Sequence, residues 1–427
     1  MVQAGFCGTG SATVSNCYNT GNILGTSSYA GGICGFSNQS SATIAKCYNT
    51  GSVIAANRGG GVCGSSNFCS INTCFNSGNI SSDTYAGGIC GYSYSSNSFT
   101  DCYNKGDISP ALIYLRNAGG ICGNSSGSAA NCYNSGCIYA DSSGLNLHAY
   151  AGGIFGNAVR NISNCHSIGD VYASADSNYA YAGGLSGYGP SSSYAVANCH
   201  NRGNVFTDAN DGSYAGGICG YSSSDINNCL NRGRISAFST CTNGVFLCEA
   251  GGIKAAGSGI VANCYNTNDI SAFSISTPQT LAGGICGSNS NSRPDSIINC
   301  YSTGSVSASN ASSLSIAYTG GICGRYSNSL AHASNCVVLS HEITAYNAVK
   351  PTGITCYIIG YNRNQTNNLA LANISGNAID DADRRISESE ARSQATYEAL
   401  GWDFAEVWEM VEGYDYPQLR GLAAARW

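Results

Sequence analysis

The sequence predicts an all-β protein, a single-stranded right-handed parallel β-solenoid of about 11–12 coils with a small C-terminal helical or irregular cap. The first observation is a glycine-, cysteine- and tyrosine-rich unit that recurs along most of the 427 residues, every 27 to 37 residues. The second is the composition, with 56 glycines and only 10% charged residues, far from that of an ordinary globular chain. The third is a C-terminal segment of different character, which holds all of the net charge of −6.

Each repeat begins with a glycine-rich phrase, which we call the first anchor. Its full form is Gly-Gly-Ile-Cys-Gly, with variants starting at Ala4, Gly152, Gly183 and Gly251 and a faint echo at Thr352. The full form starts at Gly31, Gly60, Gly87, Gly119, Gly216, Gly283 and Gly320.

A second anchor, Cys-Tyr-Asn-x-Gly-x-Ile/Val, follows in every repeat. Most of the length variation lies in the Ser/Asn/Asp/Ala-rich stretches after it. Constant cores joined by variable loops are typical of stacked units that contact only their neighbours. The second anchor starts at Cys17, Cys47, Cys74, Cys102, Cys132, Cys165, Cys199, Cys229, Cys264, Cys300 and, degraded, at Cys336.

The repeats are predicted to form short strands, because paired glycines and serine clusters are costly inside helices. The glycine of the second anchor is expected to form a turn with positive φ, and Asn268, which replaces it in one repeat, tolerates the same conformation. Parallel pairing of successive units places identical residues in ladders about 4.8 Å apart. We expect cysteine and Ile/Val inside, asparagine near the turn and tyrosine on the alternate face.

The last part of the chain is predicted to be a cap. Ser387-Glu388-Ser389-Glu390 is a capping-box pattern that begins a helix of about 388–400, ending at Gly401. Its apolar face is Trp402, Phe404, Trp408 and Leu419, and we expect it to plug the last coil and its strand edge. We divide the chain into repeats over 1–345, a degenerate last coil or transition over 346–379, and a capping segment over 380–427.

The 24 cysteines admit three interpretations: packing residues, disulfides or metal ligands. Phe155, Ser186 and Lys254 replace the first-anchor cysteine while the second-anchor cysteine of the same repeat remains, which favours reduced, buried thiols over obligate pairs. Disulfides stay open for the loop pairs Cys69–Cys74 and Cys241–Cys248. The predicted structural ladder comprises Cys17, Cys47, Cys74, Cys102, Cys132, Cys165, Cys199, Cys229, Cys264 and Cys300 of the second anchor, and Cys34, Cys63, Cys90, Cys122, Cys219, Cys286 and Cys323 of the first.

No catalytic, metal or cofactor site is predicted. There is no Cys-x-x-Cys, and His166 and His200, which replace the tyrosine in consecutive repeats, are interpreted as ladder members rather than ligands. Asp107, Asp170 and Asp269 stand alone at turns, not as the carboxylate pair of a glycosidase. A neutral body over 1–379 argues against nucleic acid as a partner, and no apolar run is long enough for membrane insertion.

The two anchors together resemble the GLUG-type repeat of large bacterial surface proteins, over about residues 4–345. The segment Leu400-Gly401-Trp402-Asp403-Phe404 also resembles the end of such arrays. The resemblance implies secretion, a cell-surface or extracellular setting, and a role as a spacer or adhesive stalk. We expect a non-catalytic module whose exposed tyrosines and variable loops contact a glycan or protein ligand. The resemblance carries no catalytic residues.

Two other functions stay open. One is an accessory domain of a carbohydrate-active β-helix enzyme. The other is a fibre subunit that associates end to end through the first coil, whose edge is uncapped. No signal peptide precedes Ala4, and the chain begins within a repeat, so we expect a longer parent protein.

Overall fold

The chain forms a parallel β-solenoid in which each coil contributes one short strand to each of five sheets. The computed structural model describes residues 2–4, 7–10, 13–26, 28–38, 42–111, 116–142, 147–241, 247–290, 296–312, 315–327, 331–347, 353–361 and 364–422. Strands pair in parallel with their equivalents in the next coil, so that Cys63 lies beside Cys90 and Tyr103 beside Tyr133. The predicted fold class, an all-β parallel solenoid, is confirmed. Thr352, the faint echo of the first anchor, lies outside the described residues.

We number the sheets in the order in which a coil passes through them. Sheets 1 and 2 carry the first anchor. Sheet 1 contains Val2–Ala4, Tyr29–Gly31, Arg58–Gly60, Tyr85–Gly87, Asn117–Gly119, Ala149–Gly152, Ala180–Gly183, Ser213–Gly216, Leu247–Gly251, Gln279–Gly283, Ile316–Gly320 and Ile354–Cys356. Sheet 2 contains Cys7–Gly10, Cys34–Asn38, Cys63–Asn67, Cys90–Ser93, Cys122–Ser125, Phe155–Ala158, Ser186–Tyr188, Cys219–Tyr221, Lys254–Ala256, Cys286–Asn289 and Cys323–Tyr326.

Sheets 3 and 4 flank the second-anchor cysteine. Sheet 3 contains Val14–Ser15, Thr43–Ala45, Ser70–Asn72, Ser98–Thr100, Ser128–Ala130, Ile162–Ser163, Ala195–Ala197, Asp225–Asn227, Val261–Ala262, Ile297–Ile298, Ala333–Ser334 and Gln365–Thr366. Sheet 4 contains Tyr18–Asn19, Tyr48–Asn49, Phe75–Asn76, Tyr103–Asn104, Tyr133–Asn134, His166–Ser167, His200–Asn201, Leu230–Asn231, Tyr265–Asn266, Tyr301–Ser302, Val337–Val338, Leu369–Leu371 and Arg384–Ile386.

Sheet 5 follows the second-anchor glycine. It contains Ile23–Gly25, Val53–Ala55, Ile80–Ser82, Ile108–Pro110, Ile138–Asp141, Val171–Ala175, Val205–Ala209, Ile235–Ser239, Ile270–Ser274, Val306–Asn310, Glu342–Asn347 and Ser375–Gly376. The predicted transition, 346–379, thus supplies strands to sheets 1, 3, 4 and 5 as a further coil.

A left-handed residue turns the chain between sheets 3 and 4 in every coil. It is the residue directly before the second-anchor cysteine, with φ between 51° and 57°. Asparagine predominates there because it tolerates this conformation better than other non-glycine residues. We call this row the corner residues: Asn16, Lys46, Thr73, Asp101, Asn131, Asn164, Asn198, Asn228, Asn263, Asn299, Asn335 and Asn367.

The prediction that the second-anchor glycine takes positive φ is wrong, as is the corresponding prediction for Asn268. The glycine is required by close stacking instead. A Cβ on Gly51 would lie 2.0 Å from the carbonyl oxygen of Gly21 in the preceding coil. Asn268 occupies the same place and donates from Nδ2 to the carbonyl oxygen of Arg232 in the preceding coil, at 3.0 Å.

The asparagine of the second anchor forms a buried ladder through the coils. Asn76 Nδ2 donates to the Gly78 carbonyl oxygen at 2.7 Å and to Asn104 Oδ1 in the next coil at 2.8 Å. A Cβ on Gly61 of the first anchor would lie 2.4 Å from Asn76 Oδ1. The paired glycines therefore leave room for the asparagine side chains, which serve as the predicted ladder near the turn.

Two apolar clusters run along the solenoid. One contains the cysteines and the isoleucines of the first anchor, such as Ile89 and Cys102. The other is made of alanine, valine and isoleucine from sheets 1 and 5, such as Ala86 and Ile80. Cysteine and Ile/Val thus lie inside the solenoid, where the sequence predicted them.

The cap begins after the last strand of sheet 4. Ser387 forms the predicted capping box with Glu390. The single helix predicted over 388–400 is instead two short helices, Glu388–Ala391 and Gln394–Glu398, and Gly401 follows them with φ 82°. Trp408–Glu409 and Gln418–Leu419 then pair antiparallel. No helix among the described residues is long and apolar enough to cross a membrane.

Replacing Asn104 by alanine is expected to lower the free energy of unfolding by about 2–3 kcal/mol, because the amide of Asn76 and the Gly106 carbonyl each lose a buried partner. Thermal and urea unfolding followed by circular dichroism measure the change. Asn104→Ser should cost less, since Ser167 and Ser302 occupy this position in other coils. Equal effects of Asn104→Ala and the control Asn124→Ala, on the half-buried face of sheet 2, would contradict this role.

Candidate functional site

The second-anchor cysteines line the corner between sheets 3 and 4. They are buried except Cys17, which is half-buried. The thiols form hydrogen bonds within their own turn and between coils. Cys165 Sγ donates to the Ser163 carbonyl oxygen at 3.2 Å. The backbone N–H of Cys165 donates to Cys199 Sγ in the next coil at 3.4 Å. The Ser163 carbonyl oxygen also accepts from the backbone N–H of the corner residue Asn131 in the preceding coil, so the thiol adds a second bond there, whereas Cys199 Sγ supplies the acceptor for the Cys165 N–H.

The first-anchor cysteines repeat this pattern at the start of sheet 2. Cys63 Sγ donates to the carbonyl oxygen of Ser65, two residues on, at 3.0 Å. Ser186, one of the three replacements, makes the same bond to Tyr188 at 2.8 Å. Lys254, another replacement, is fully buried, donates from Nζ to the Ser258 carbonyl oxygen at 2.7 Å, and has a pKa lowered by burial.

The loop disulfides left open by the sequence do not form. Cys69, Cys74, Cys241 and Cys248 are buried free thiols. Burial raises the pKa of ladder thiols such as Cys132 well above its ordinary value. The thiolate is the reactive form, so ladder thiols whose pKa is raised, such as Cys132 and Cys199, are unreactive at neutral pH.

Raising the pH should destabilise the protein. The folded state raises the pKa of buried ladder thiols such as Cys132 and Cys199 above their ordinary 9.0, so the stability of the folded state is unaffected by these groups below about pH 9 and falls above it, where they ionise only in the unfolded chain. Each thiol that ionises only on unfolding contributes a slope of about 1.4 kcal/mol per pH unit. Urea unfolding in reductant at pH 7, 8.5 and 10 measures this.

The exposed thiol of Cys137 supplies the control, since Cys137→Ser should change the pH profile less than Cys132→Ser, which removes a fully buried ladder thiol. Thiol titration should show buried ladder cysteines reacting only after denaturant is added. A flat stability profile together with fast native reaction of these cysteines would contradict the interpretation.

His166 and His200 lie side by side in sheet 4, as predicted, with ring centroids 3.9 Å apart. Burial and the neighbouring His166 lower the pKa of His200 to about 3. The rings stack face to face, which suits a ladder rather than chelation of one ion. In the part of the chain that the structure describes, no three His, Cys, Asp or Glu side chains come together as a metal site.

The tyrosine position of the second anchor forms a continuous row on the outer face of sheet 4. The rings stack along the solenoid, with centroids 5.2 Å apart for Tyr18–Tyr48, 5.3 Å for Phe75–Tyr103 and 4.7 Å for Tyr103–Tyr133. We call the part that the cap leaves uncovered the aromatic strip: Tyr18, Tyr48, Phe75, Tyr103, Tyr133 and His166.

The capping segment predicted over 380–427 covers two surfaces. Its strand Arg384–Ile386 pairs with Leu369–Leu371 at the edge of the last coil, as expected. The residues after it cover the continuation of the aromatic row on the side of the solenoid, which was not predicted. Trp402 and Trp408 pack on Tyr301, with ring centroids 6.2 and 6.1 Å away. The four predicted cap residues Trp402, Phe404, Trp408 and Leu419 belong to one cluster with the sheet 4 residues Leu230, Tyr265, Tyr301, Val337 and Leu369.

The sequence contained a signal for this lateral packing. Leu230, Val337 and Leu369 replace the tyrosine at covered positions, whereas the uncovered positions keep aromatic rings. Tyrosine can keep its hydroxyl in water, whereas leucine and valine have no polar group. Their appearance in this row therefore indicates a buried face.

A groove follows the aromatic strip beside the corner residues. It has a volume of about 790 Å³ and is lined by Asp101, Cys102, Tyr103, Asn131, Tyr133, Asn164 and His166. Asn131 Nδ2 donates to Asp101 Oδ1 at 3.0 Å, so the corner side chains form a polar rail along it. A smaller cavity of about 310 Å³ lies between Asn164, Asn198, Asn228 and the cap edge at 406–422.

A second group of aromatic rings lies on sheets 1 and 2, but its rings are engaged with each other. The Arg58 guanidinium lies 4.5 Å from the ring centre of Tyr92 and 5.0 Å from that of Tyr29. Tyr181 stacks on Tyr214 at 4.9 Å. Near it, burial raises the pKa of Glu249 to about 7, and the Ser288 hydroxyl donates to this carboxylate at 2.5 Å. The aromatic strip is the more open of the two surfaces.

The carboxylates of the turn aspartates accept hydrogen bonds from backbone N–H groups. Asp107 Oδ1 accepts from the N–H of Cys137 at 2.8 Å, Asp170 from that of Asn204 at 2.7 Å, and Asp269 from that of Ser305 at 2.9 Å. Each carboxylate thus bridges to the next coil. They do not converge on one another.

Comparisons with known proteins agree with the repeat architecture. Residues 279–307 match the GLUG motif, and with the repeat β-solenoid this is consistent with a GLUG repeat protein. A crystal structure of a Bacteroides ovatus protein, provisionally described as an immunoglobulin A1 protease, is 16% identical and covers 81% of this chain and 86% of its own, with a TM-score of 0.40. No curated protein matches the sequence.

Trp408→Ala is expected to lower the free energy of unfolding by about 3–5 kcal/mol, because a fully buried indole is removed from the cap–ladder contact. The cap should also become sensitive to limited proteolysis. Thermal unfolding and protease digestion measure both effects. The control is Tyr414→Ala, since Tyr414 is 78% exposed, and a Trp408→Ala protein that behaved like this control would show that the cap does not depend on the ladder.

Proposed function

We propose that this chain is a non-catalytic repeat module that serves as a stalk and adhesive surface of a larger bacterial surface protein, in an extracellular or cell-surface setting. The GLUG match over 279–307 supports the setting by resemblance. The aromatic strip with its groove supports the adhesive role, and no cofactor is required.

The observation that carries this proposal is the uncovered part of the sheet 4 aromatic row. Tyr18 is 62% exposed and Tyr48 is 41% exposed. A row of aromatic rings left in water next to a polar rail is typical of a contact surface, because tyrosine offers a large apolar area and a hydroxyl at little entropic cost.

The polar groups of the body support a structural role. Asp107, Asp170 and Asp269 bond backbone groups of the next coil, and the buried asparagines and thiols bond their own turns. A hydrolase that cleaves glycosides needs two carboxylates facing one bond. These aspartates are instead engaged singly, one per coil.

The test combines a binding and a hydrolysis assay on the whole chain. A panel of immobilised polysaccharides and extracellular matrix proteins is screened for binding, while reducing-end and peptide release are followed in parallel. Binding without turnover is the expected outcome. Turnover of any member of the panel that survives repurification would refute the non-catalytic role.

A further inference from the structure

The cap shows what the aromatic row of sheet 4 binds. Under the cap, Tyr265 and Tyr301 are 1% and 2% exposed, although both lie in the same register as the exposed rings of the strip. The row is one continuous surface from Tyr18 to Leu369, with the cap on only its last part. The aromatic strip is therefore the continuation of an interface that is already occupied.

The cap makes three kinds of contact with the row. Trp408 packs at a tilt on Tyr265 and Tyr301, with ring centroids 6.2 and 6.1 Å apart and planes at 45° and 49°. Trp402 Nε1 donates to the carbonyl oxygen of the corner residue Asn335 at 2.8 Å. The Tyr301 hydroxyl donates to the Pro417 carbonyl oxygen at 2.6 Å.

The aromatic strip offers the same three features. Tyr103 and Tyr133 lie 4.7 Å apart in the positions that Tyr265 and Tyr301 occupy under the cap. The corner residues Asn131 and Asn164 are equivalent to Asn335. Among the described residues, no backbone N–H donates to the carbonyl oxygen of either corner residue. The groove of about 790 Å³ is lined both by these two rings and by the two corner residues.

The stacking of the rings argues against a sugar ring as the occupant. Tyr18 and Tyr48 are nearly parallel, with planes 9° apart, and Tyr103 and Tyr133 are 33° apart. Neighbouring rings therefore cover each other's faces, and the strip shows ring edges and hydroxyls to the solvent. Edges suit a tilted indole and a carbonyl acceptor, as the cap demonstrates, and a flat pyranose would need a free face.

We infer that the aromatic strip docks a tryptophan-bearing polypeptide segment of a partner protein, by the contacts that the cap makes with the covered part of the row. The inference rests on the proposed adhesive function and names the class of ligand. An indole packs in the groove against Tyr103 and Tyr133, its N–H donates to a corner carbonyl, and a tyrosine hydroxyl donates to a carbonyl of the segment.

The probe is a fluorescein-labelled synthetic peptide of residues 402–419 of this chain, and its binding to the whole protein is followed by fluorescence anisotropy. We expect saturable binding that the unlabelled peptide competes away. A peptide with both Trp402 and Trp408 replaced by alanine should bind at least about tenfold more weakly, because the indoles are the anchors.

Two protein variants locate the binding. Tyr103→Ala with Tyr133→Ala removes the rings, and Asn131→Lys with Asn164→Lys obstructs the groove at corner positions where Lys46 shows that lysine folds. Each should weaken binding at least about tenfold. The matched control is Tyr139→Ala with Tyr172→Ala, a pair stacked at 4.8 Å on sheet 5, which should leave binding unchanged.

The remaining outcomes overturn the inference. Peptide binding that survives both strip variants would place the site elsewhere. Failure of the peptide to bind would refute a polypeptide ligand, and so would binding of cellohexaose or xylohexaose that only the strip variants abolish. Those last two results would leave the non-catalytic module intact, whereas turnover in the hydrolysis assay would refute the module itself.

Discussion

The distance between successive coils constrains every other feature of this solenoid. Backbones approach so closely that a Cβ on Gly51 or Gly78 would lie 2.0 Å from a carbonyl oxygen of the preceding coil. Glycine at these positions lets the coils approach this closely, and the fixed register places equivalent side chains side by side. The ladders of asparagine, thiol and aromatic ring depend on both. Each ladder in turn supplies the side-chain contacts that keep the next coil at that distance.

The thiols illustrate how chemistry at one position follows from backbone geometry. The left-handed corner takes the N–H of the second-anchor cysteine out of the strand pattern, and a side chain of the next coil accepts from it. Cys199 Sγ accepts from the Cys165 N–H, Cys264 Sγ from the Cys229 N–H, and Asn368 Oδ1 from the Cys336 N–H at 2.8 Å. A thiol used in this way needs no disulfide, which explains why the two anchors vary independently.

The fold could be predicted from the sequence because its period is explicit in the two anchors. The strand phases, the inward cysteines and the stacked His166 and His200 all follow from counting along the repeat. The corner residues were missed although most are asparagine, because the positive φ of the turn was assigned to the glycine of the second anchor instead. The lateral cap was missed because Trp402 and Trp408 indicate a buried face, while the surface that buries them is set by tertiary packing. The sequence indicated exposed tyrosines as a contact area, but the bounds of the aromatic strip required the structure, which separates covered from uncovered rings.

The lateral cap also makes the two parts of the rod mechanically unequal. Coils from Leu230 onward contact their neighbours and also the cap, which packs on several coils at once, so we expect these coils to open together. Coils under the aromatic strip are held by their neighbours alone, and in a one-dimensional array such units open one at a time. Under a pulling force or in the presence of a protease, the coils along the aromatic strip should therefore open one by one, and the coils under the cap should open together.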